Sequence, residues 1–185
     1  MQKELLNSAY IDNTNLYKGL ETEGFRVDYV KLRTYLTERY AVKTAYIFIG
    51  FLPNKADLYR RLQEQGFTLI FKPTVPNSTG TKGNCDGELI LQATVDFYEK
   101  KYTKAVIVTS DGDFACLVNF LIEKDALDSV QSPTYKKCST LLTRSKARIV
   151  FLPEVANSVS RPLTQQELEV IKIKIEEKEK AKNPN

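Results

Sequence analysis

Two rhythms alternate along the chain: short apolar runs, and longer stretches in which apolar residues recur at helical spacing. The first run, Ser8-Ala-Tyr-Ile, ends in Asp12. A helical stretch follows from about Leu16 to Glu23 and closes at Gly24. Asp28 is placed to cap a second helix, whose partial apolar face holds Val30, Leu32, Tyr35 and Leu36. Thr44 to Phe51 is almost continuously apolar, aromatic or β-branched. That pattern predicts a strand buried on both faces of a parallel sheet. A helix from Ala56 to Gln65, stopped by Gly66, leads to another strand, Phe67 to Phe71. Lys72 to Gly83 is rich in Pro, Thr, Ser and Gly and reads as a loop.

The second half repeats the alternation. Asp86 to Lys101 reads as a long helix with Leu89, Ile90, Ala93 and Phe97 as apolar positions. Ala105 to Thr109 predicts a strand, Phe114 to Glu123 a helix and Ser129 to Pro133 a short strand. Tyr135 to Arg144 reads as a helix and Arg148 to Leu152 as the last strand. Strands separated by helices imply right-handed crossovers. The expected fold class is therefore α/β, a Rossmann-like three-layer sandwich with a mainly parallel central sheet. Residues 1–160 form the expected domain. The segment 161–185 is a charged helical tail, with Thr164 and Glu167 spaced as a capping box. Its residues Leu168, Ile171 and Ile175 share one face, which suits docking on the domain or on a partner, a homodimer being one form. The tail carries no evident chemistry.

Composition narrows the chemistry more than the fold. The 185 residues include no histidine. That excludes Ser-His-Asp and Cys-His catalysis, the HExxH zinc site and any histidine acid or base. Carboxylates, lysines, hydroxyls or a metal remain, and hard oxygen ligands favour Mg²⁺ or Mn²⁺. Three cysteines at long spacings, without a CxxC, suit a reduced cytoplasmic chain. No apolar run approaches the roughly 20 residues of a membrane span, and the first residues lack a secretory pattern. A membrane partner is not expected.

The aspartates fall where an open α/β sheet binds its ligands, at the carboxyl ends of strands. Asp12 ends the first strand, Asp111 and Asp113 follow Ala105–Thr109, and Asp86 opens the long helix. On an extended segment Asp111 and Asp113 would point to the same side. Each also has a bland role: Asp113 as a helix cap, Asp86 as an acid in a first helical turn, Asn13 as a turn residue. Together, carboxylates held close repel one another unless a divalent cation joins them. The net charge of +4 permits an anionic partner. Two acid-free stretches, Lys72 to Cys85 and Ser129 to Pro153, carry Lys82, Lys136, Lys137, Arg144, Lys146 and Arg148, and suit a phosphate backbone.

Four segments in order, AYIDNTNLY, KGNCDGELIL, AVIVTSDGDFACLVNFL and KKCSTLLTRSKARIVFLPEV, resemble the NYN domain group, bacterial nuclease-like domains of the PIN-like superfamily. The resemblance covers about residues 5 to 160. It implies a PIN-like fold and a Mg²⁺- or Mn²⁺-dependent ribonuclease acting on RNA. Asp12, Asp86, Asp111 and Asp113 would be its catalytic, metal-binding carboxylates. Asn15 would orient the first carboxylate or contact substrate. Lys82, Ser110, Lys136, Lys137 and Arg144 would be substrate contacts. The chain departs from the family pattern at Asn13, where glycine is usual, and at Thr109-Ser110 in place of Ser-Gly. Gln92 stands where many members carry a further acid, and Asp96 lies one turn on, about 80° off the line of Asp86.

Two other classes remain open. One is a non-catalytic module that binds RNA, a nucleotide or a protein on the same fold. The other is an aspartyl-nucleophile phosphatase, since VIVTSDGDF places Asp-x-Asp after a strand. That class also wants a lysine and an acidic motif further on, in an order not evident here.

Overall fold

A computed structural model describes residues 6–182 except 73–74, 78–79 and 83–84. In chain order the elements begin with β1 (Asn7–Asp12), α1 (Asn13–Thr22), β2 (Phe25–Val27), α2 (Tyr29–Tyr40) and β3 (Val42–Gly50). Then come α3 (Ala56–Glu64), β4 (Phe67–Lys72), β5 (Val75–Asn77), β6 (Gly80–Lys82) and α4 (Asp86–Tyr98). The remainder is β7 (Ala105–Val108), α5 (Ala115–Glu123), β8 (Leu127–Ser132), α6 (Thr140–Thr143), β9 (Ile149–Phe151), α7 (Ala156–Val159), β10 (Ser160–Pro162) and α8 (Gln165–Lys182).

Six strands form one parallel sheet in the order β4-β3-β1-β7-β8-β9. The chain builds outward from β1 in one direction through β3 and β4. It then crosses to the other side of β1 to lay down β7, β8 and β9. The reversal leaves a crevice at the carboxyl ends of β1 and β7, the place where such sheets bind ligands.

Strand alternation divides the core. Ala9 and Ile11 of β1, Ile47 and Ile49 of β3, and Val106 and Val108 of β7 face one layer. They pack there with Leu16 and Leu20 of α1, Leu32 and Leu36 of α2, and Leu62 of α3. Tyr10, Phe48 and Ile107 face the opposite layer, against Leu89 and Ala93 of α4 and Leu117, Val118 and Leu121 of α5. The period-2 register of buried strands produces this three-layer sandwich. Each leucine buried in it contributes roughly 1.5–3 kcal/mol.

Several elements differ from the sequence reading. Part of the Lys72–Gly83 stretch is an antiparallel ribbon, β5 against β6, rather than a loop throughout. The Tyr135–Arg144 helix shrinks to α6. Ser139 starts it late, because its hydroxyl accepts the Leu141 N–H at 3.3 Å, and its own N–H is bound by Ser110 O at 2.9 Å. The long helix ends at Tyr98, where Lys100 takes a left-handed φ of 54°. The capping box forms as expected: Glu167 accepts the Thr164 N–H at 2.9 Å, and Thr164 accepts the Glu167 N–H at 3.3 Å. The tail is also tied to the domain, since β10 pairs antiparallel with β2. Among the described residues no helix is long and apolar enough to cross a membrane.

Candidate active site

Asp12 ends β1 and starts α1 in the same step. Its φ and ψ are still extended, and its carboxylate accepts the Asn15 N–H at 3.1 Å. It is thus the N-cap of α1. Asn13 is buried as the first helical residue, and its side-chain oxygen accepts the Tyr29 hydroxyl at 2.6 Å.

Asp111 repeats the device after β7. Its extended backbone precedes a single 3₁₀ turn, Gly112–Phe114, and its carboxylate accepts the Asp113 N–H at 3.1 Å. The extended Asp-x-Asp segment expected from sequence is therefore a capped turn. The capping partner is Asp111, and Asp113 lies in the turn it starts. The turn still brings the two carboxylates together, and α4 delivers Asp86 beside them from its first residue. One carboxylate oxygen from each of Asp86, Asp111 and Asp113 lies within 4.8 Å of the others.

Asp12 completes the group electrostatically. Its carboxyl is pushed up to about 6, chiefly by burial and then by the negative charges of Asp86 and Asp111, against the lowering effect of the Asn15 N–H. Asp12, Asp86 and Asp113 all sit at helix or 3₁₀-turn N-termini, whose free N–H groups offset part of the repulsion. Hard oxygen donors converging in this way are compatible with a divalent metal such as Mg²⁺ or Mn²⁺.

Two close approaches hold the site together. Asn15 Oδ1 accepts both the backbone N–H and the hydroxyl of Ser110, each at 2.8 Å. Its side chain thereby positions the segment leading into Asp111. Gly112 lets the segment entering α6 come near, since a Cβ there would collide with Ser139 Oγ and meet Leu141 Cδ1 at 3.2 Å. Gly19 performs the same service for Pro133, whose Cγ a Cβ would meet at 2.6 Å. Glu23 then clasps the next residues, accepting the Thr134 hydroxyl at 2.6 Å and the Tyr135 N–H at 3.0 Å. These contacts carry Lys137 to the site.

The four aspartates open into a cleft of about 1540 Å³. Asn15, Ser110 and Lys137 line it too, whereas Lys136 and Arg144 are exposed elsewhere and do not. The Lys82 side chain lies outside the described residues. Arg148 is engaged away from the cleft, 3.6 Å from Asp128 and over the Tyr40 ring. Asp96 is wholly buried within α4, where it accepts Tyr10 Oη at 2.9 Å, Gln92 Nε2 at 2.9 Å and Lys101 Nζ at 3.1 Å. Gln92 and Asp96 therefore anchor α4 and do not line the cleft.

Sequence reasoning missed two walls. The first is the outward stripe of α1, with Thr14, Tyr17, Lys18 and Glu21 along the cleft while Leu16 and Leu20 face the core. Helical spacing of the polar positions carries this signal once the helix is known to begin at Asn13. The second is α8, which contributes Gln166, Glu167, Val170 and Ile171. Nothing in the tail's own pattern marks it as part of a site.

A carboxylate-lined cleft at the switch point of a parallel sheet, covered by helices on both faces, defines a PIN-like α/β domain. The NYN domain model matches residues 8–152, and the chain belongs to the NYN domain family. This family is of the PIN-like nuclease type. A crystal structure of a protein of unknown function from Vibrio parahaemolyticus shares the fold, with a TM-score of 0.67 and 20% identity. The alignment covers 87% of this chain and 100% of that one. No curated protein resembles the chain closely enough to count as a match.

Proposed function

We propose that the protein is a metal-dependent ribonuclease that hydrolyses phosphodiester bonds at the aspartate cluster. The observation that carries this reading is the approach of Asp86, Asp111 and Asp113 within 4.8 Å, beside an Asp12 whose carboxyl is pushed up to about 6 by burial and then by the charges of Asp86 and Asp111. Such a cluster is unfavourable by itself and becomes favourable around a cation.

Asp86, Asp111 and Asp113 would hold Mg²⁺ or Mn²⁺, with Asp12 at its inner edge. When bound, the metal supplies Lewis-acid activation of water and stabilisation of charge at phosphorus. The protein's own groups do the positioning. Asn15 fixes Ser110 and hence the approach to Asp111. Lys18 and Lys137 place ammonium groups along the cleft, where a phosphate chain would run. The absence of histidine leaves carboxylates, lysines, hydroxyls or a bound metal as the means of managing protons.

One observation favours a weaker or non-catalytic variant of the same site. Gln92 turns to Asp96, so among the described residues α4 brings only Asp86 to the cluster. The discriminating experiment is cleavage of a labelled mixed-sequence RNA with Mn²⁺ or Mg²⁺ against EDTA, beside Asp111→Asn. Metal-dependent cleavage that the variant lacks supports the ribonuclease. Metal binding without cleavage supports an RNA- or nucleotide-binding module.

A further inference from the structure

Every exposed residue of α4 is uncharged. They are Gly87, Leu91, Val95 and Tyr98, with Leu91 64%, Val95 37% and Tyr98 66% exposed. With about 3.6 residues per turn, these positions fall within about 100° of the helix circumference and form one stripe. Thr94 lies within it and turns its hydroxyl back to Ile90 O at 2.8 Å. Tyr98 is held by ring contacts, 5.2 Å to Phe97 and 6.1 Å to Phe120 of α5 between centroids. The opposite face of α4 buries Leu89 and Ala93. A helix that is apolar on both sides is built to be covered on both, and this stripe is open.

Gly87 has no reason of its own to be glycine. Gly19 and Gly112 each face a neighbour that a Cβ would strike, and Gly24 and Gly66 hold a φ of +86° and +85°. At Gly87 φ is not positive, and among the described residues no atom lies within 4 Å of a Cβ built there. A glycine inside a helix weakens it relative to alanine. The open space above Gly87 is therefore a seat for a side chain from outside the chain.

The stripe is complementary to itself. Gly87 lies at one end and Tyr98 about 16 Å away at the other, with Leu91 and Val95 spaced evenly about the midpoint. A two-fold axis near Ala93 sets an antiparallel copy so that each Tyr98 meets the other copy's Gly87, and each Leu91 the other's Val95. Charge agrees with this direction. The first turn of α4 is acidic, with Asp86 and Glu88, and Lys100 is exposed just past the last turn. Antiparallel pairing lays each Lys100 beside the other first turn, whereas parallel pairing sets acid on acid. Glu99 is held by Lys101 at 2.6 Å and adds no net charge. A nucleic acid would need cations along the stripe, which has none.

We infer that the α4 stripe is the contact surface of a symmetric homodimer, two α4 helices packing antiparallel with Tyr98 of each copy seated over Gly87 of the other. A two-fold interface uses the same patch twice, so each favourable contact is doubled. The missing side chain at Gly87 lets the helices approach closely. None of the stripe residues lines the carboxylate cleft. The dimer therefore leaves the cleft open and does not depend on what the aspartates do.

The test is sedimentation velocity of the full chain over a concentration series in EDTA, so that metal plays no part. The expected result is a concentration-dependent species of twice the mass of one chain. Tyr98→Ala and Leu91→Lys should each raise the dissociation constant at least about 10-fold. Gly87→Gln should do the same while leaving the melting temperature of the dilute monomer unchanged or higher, because the added side chain meets open space within its own chain and favours the helix. That opposition separates a seat for a partner from a structural glycine. Ile173→Lys, on the exposed side of α8, should leave the dimer intact. A monomer at every concentration overturns the inference. So does a dimer that Tyr98→Ala and Gly87→Gln leave unchanged, and a dimer that only Ile173→Lys dissociates belongs to the tail.

Discussion

Asn15 Oδ1 accepts both the N–H and the hydroxyl of Ser110, so one side chain joins the segment after β1 to the segment after β7 across 95 residues of sequence. The same residue's N–H binds Asp12. Asn15 therefore sets the spacing between the two strand ends that carry the carboxylates. Asn15→Ala removes both acceptor contacts and leaves the buried Ser110 N–H without its partner. The expected loss is about 1–3 kcal/mol in urea unfolding. A weaker Mn²⁺ titration should accompany it, because Asp111 is displaced. Loss of stability with unchanged metal affinity would confine Asn15 to a structural role.

Metal should stabilise the fold, since only the folded chain assembles the carboxylates. At a hundredfold excess over its dissociation constant, Mn²⁺ is expected to add about 2.7 kcal/mol to the unfolding free energy. Asp111→Asn should remove most of that gain while leaving the metal-free protein at least as stable. Asparagine still caps the turn, and a repulsive charge is gone. A marked fall in metal-free stability would show that the Asp111 carboxylate serves the turn alone.

The pH dependence of the metal-free protein follows from Asp12. Its folded value, about 6, lies above the ordinary 3.8. Between the two, the folded state binds more protons than the unfolded state, so stability falls as pH rises. The favourable contribution is complete below 3.8 and lost above about 6. The shift corresponds to a penalty on the order of 3 kcal/mol at neutral pH. Unfolding in EDTA from about pH 4 to about pH 7 should show Asp12→Asn gaining on the wild type as pH rises. A constant difference across that range would contradict the assignment.

Gly112→Ala tests the close approach between the two halves of the site. The new methyl would meet Ser139 and Leu141, with an expected cost of about 1–3 kcal/mol in thermal unfolding. Pairing it with Ser139→Gly removes the colliding hydroxyl at little capping cost, so the double variant should recover part of the loss. Strict additivity would mean that the two residues do not touch.

The chain's own periodicity determined the layers. Continuous apolar runs such as Thr44–Phe51 are strands buried on both sides, and α1 to α5 supply crossovers that only a parallel sheet accommodates. Asp12, Asp111 and Asp113 were legible because each directly follows a run of that kind, and the Thr164–Glu167 box because its spacing is a local hydrogen-bond requirement. Such features depend on neighbours a few residues apart.

What only tertiary structure decided depends on distant partners. The Tyr135–Arg144 stretch has helical spacing, yet Ser110 and Gly112 capture Ser139 and delay the helix to α6. Lys136, Lys137 and Arg144 are alike in sequence, but the Glu23 clasp and Pro133 against Gly19 turn only Lys137 into the cleft. Asp96 and Asp86 are the same residue type on one helix, yet burial against Tyr10 and Lys101 removes Asp96 from the site. The tail's amphipathic pattern indicates that one face is covered. The pairing of β10 with β2 and the ion pairs of Glu167 hold α8 so that Gln166, Glu167, Val170 and Ile171 border the carboxylate cleft. Local pattern specifies which face of an element avoids water, and the three-dimensional chain specifies what that face meets.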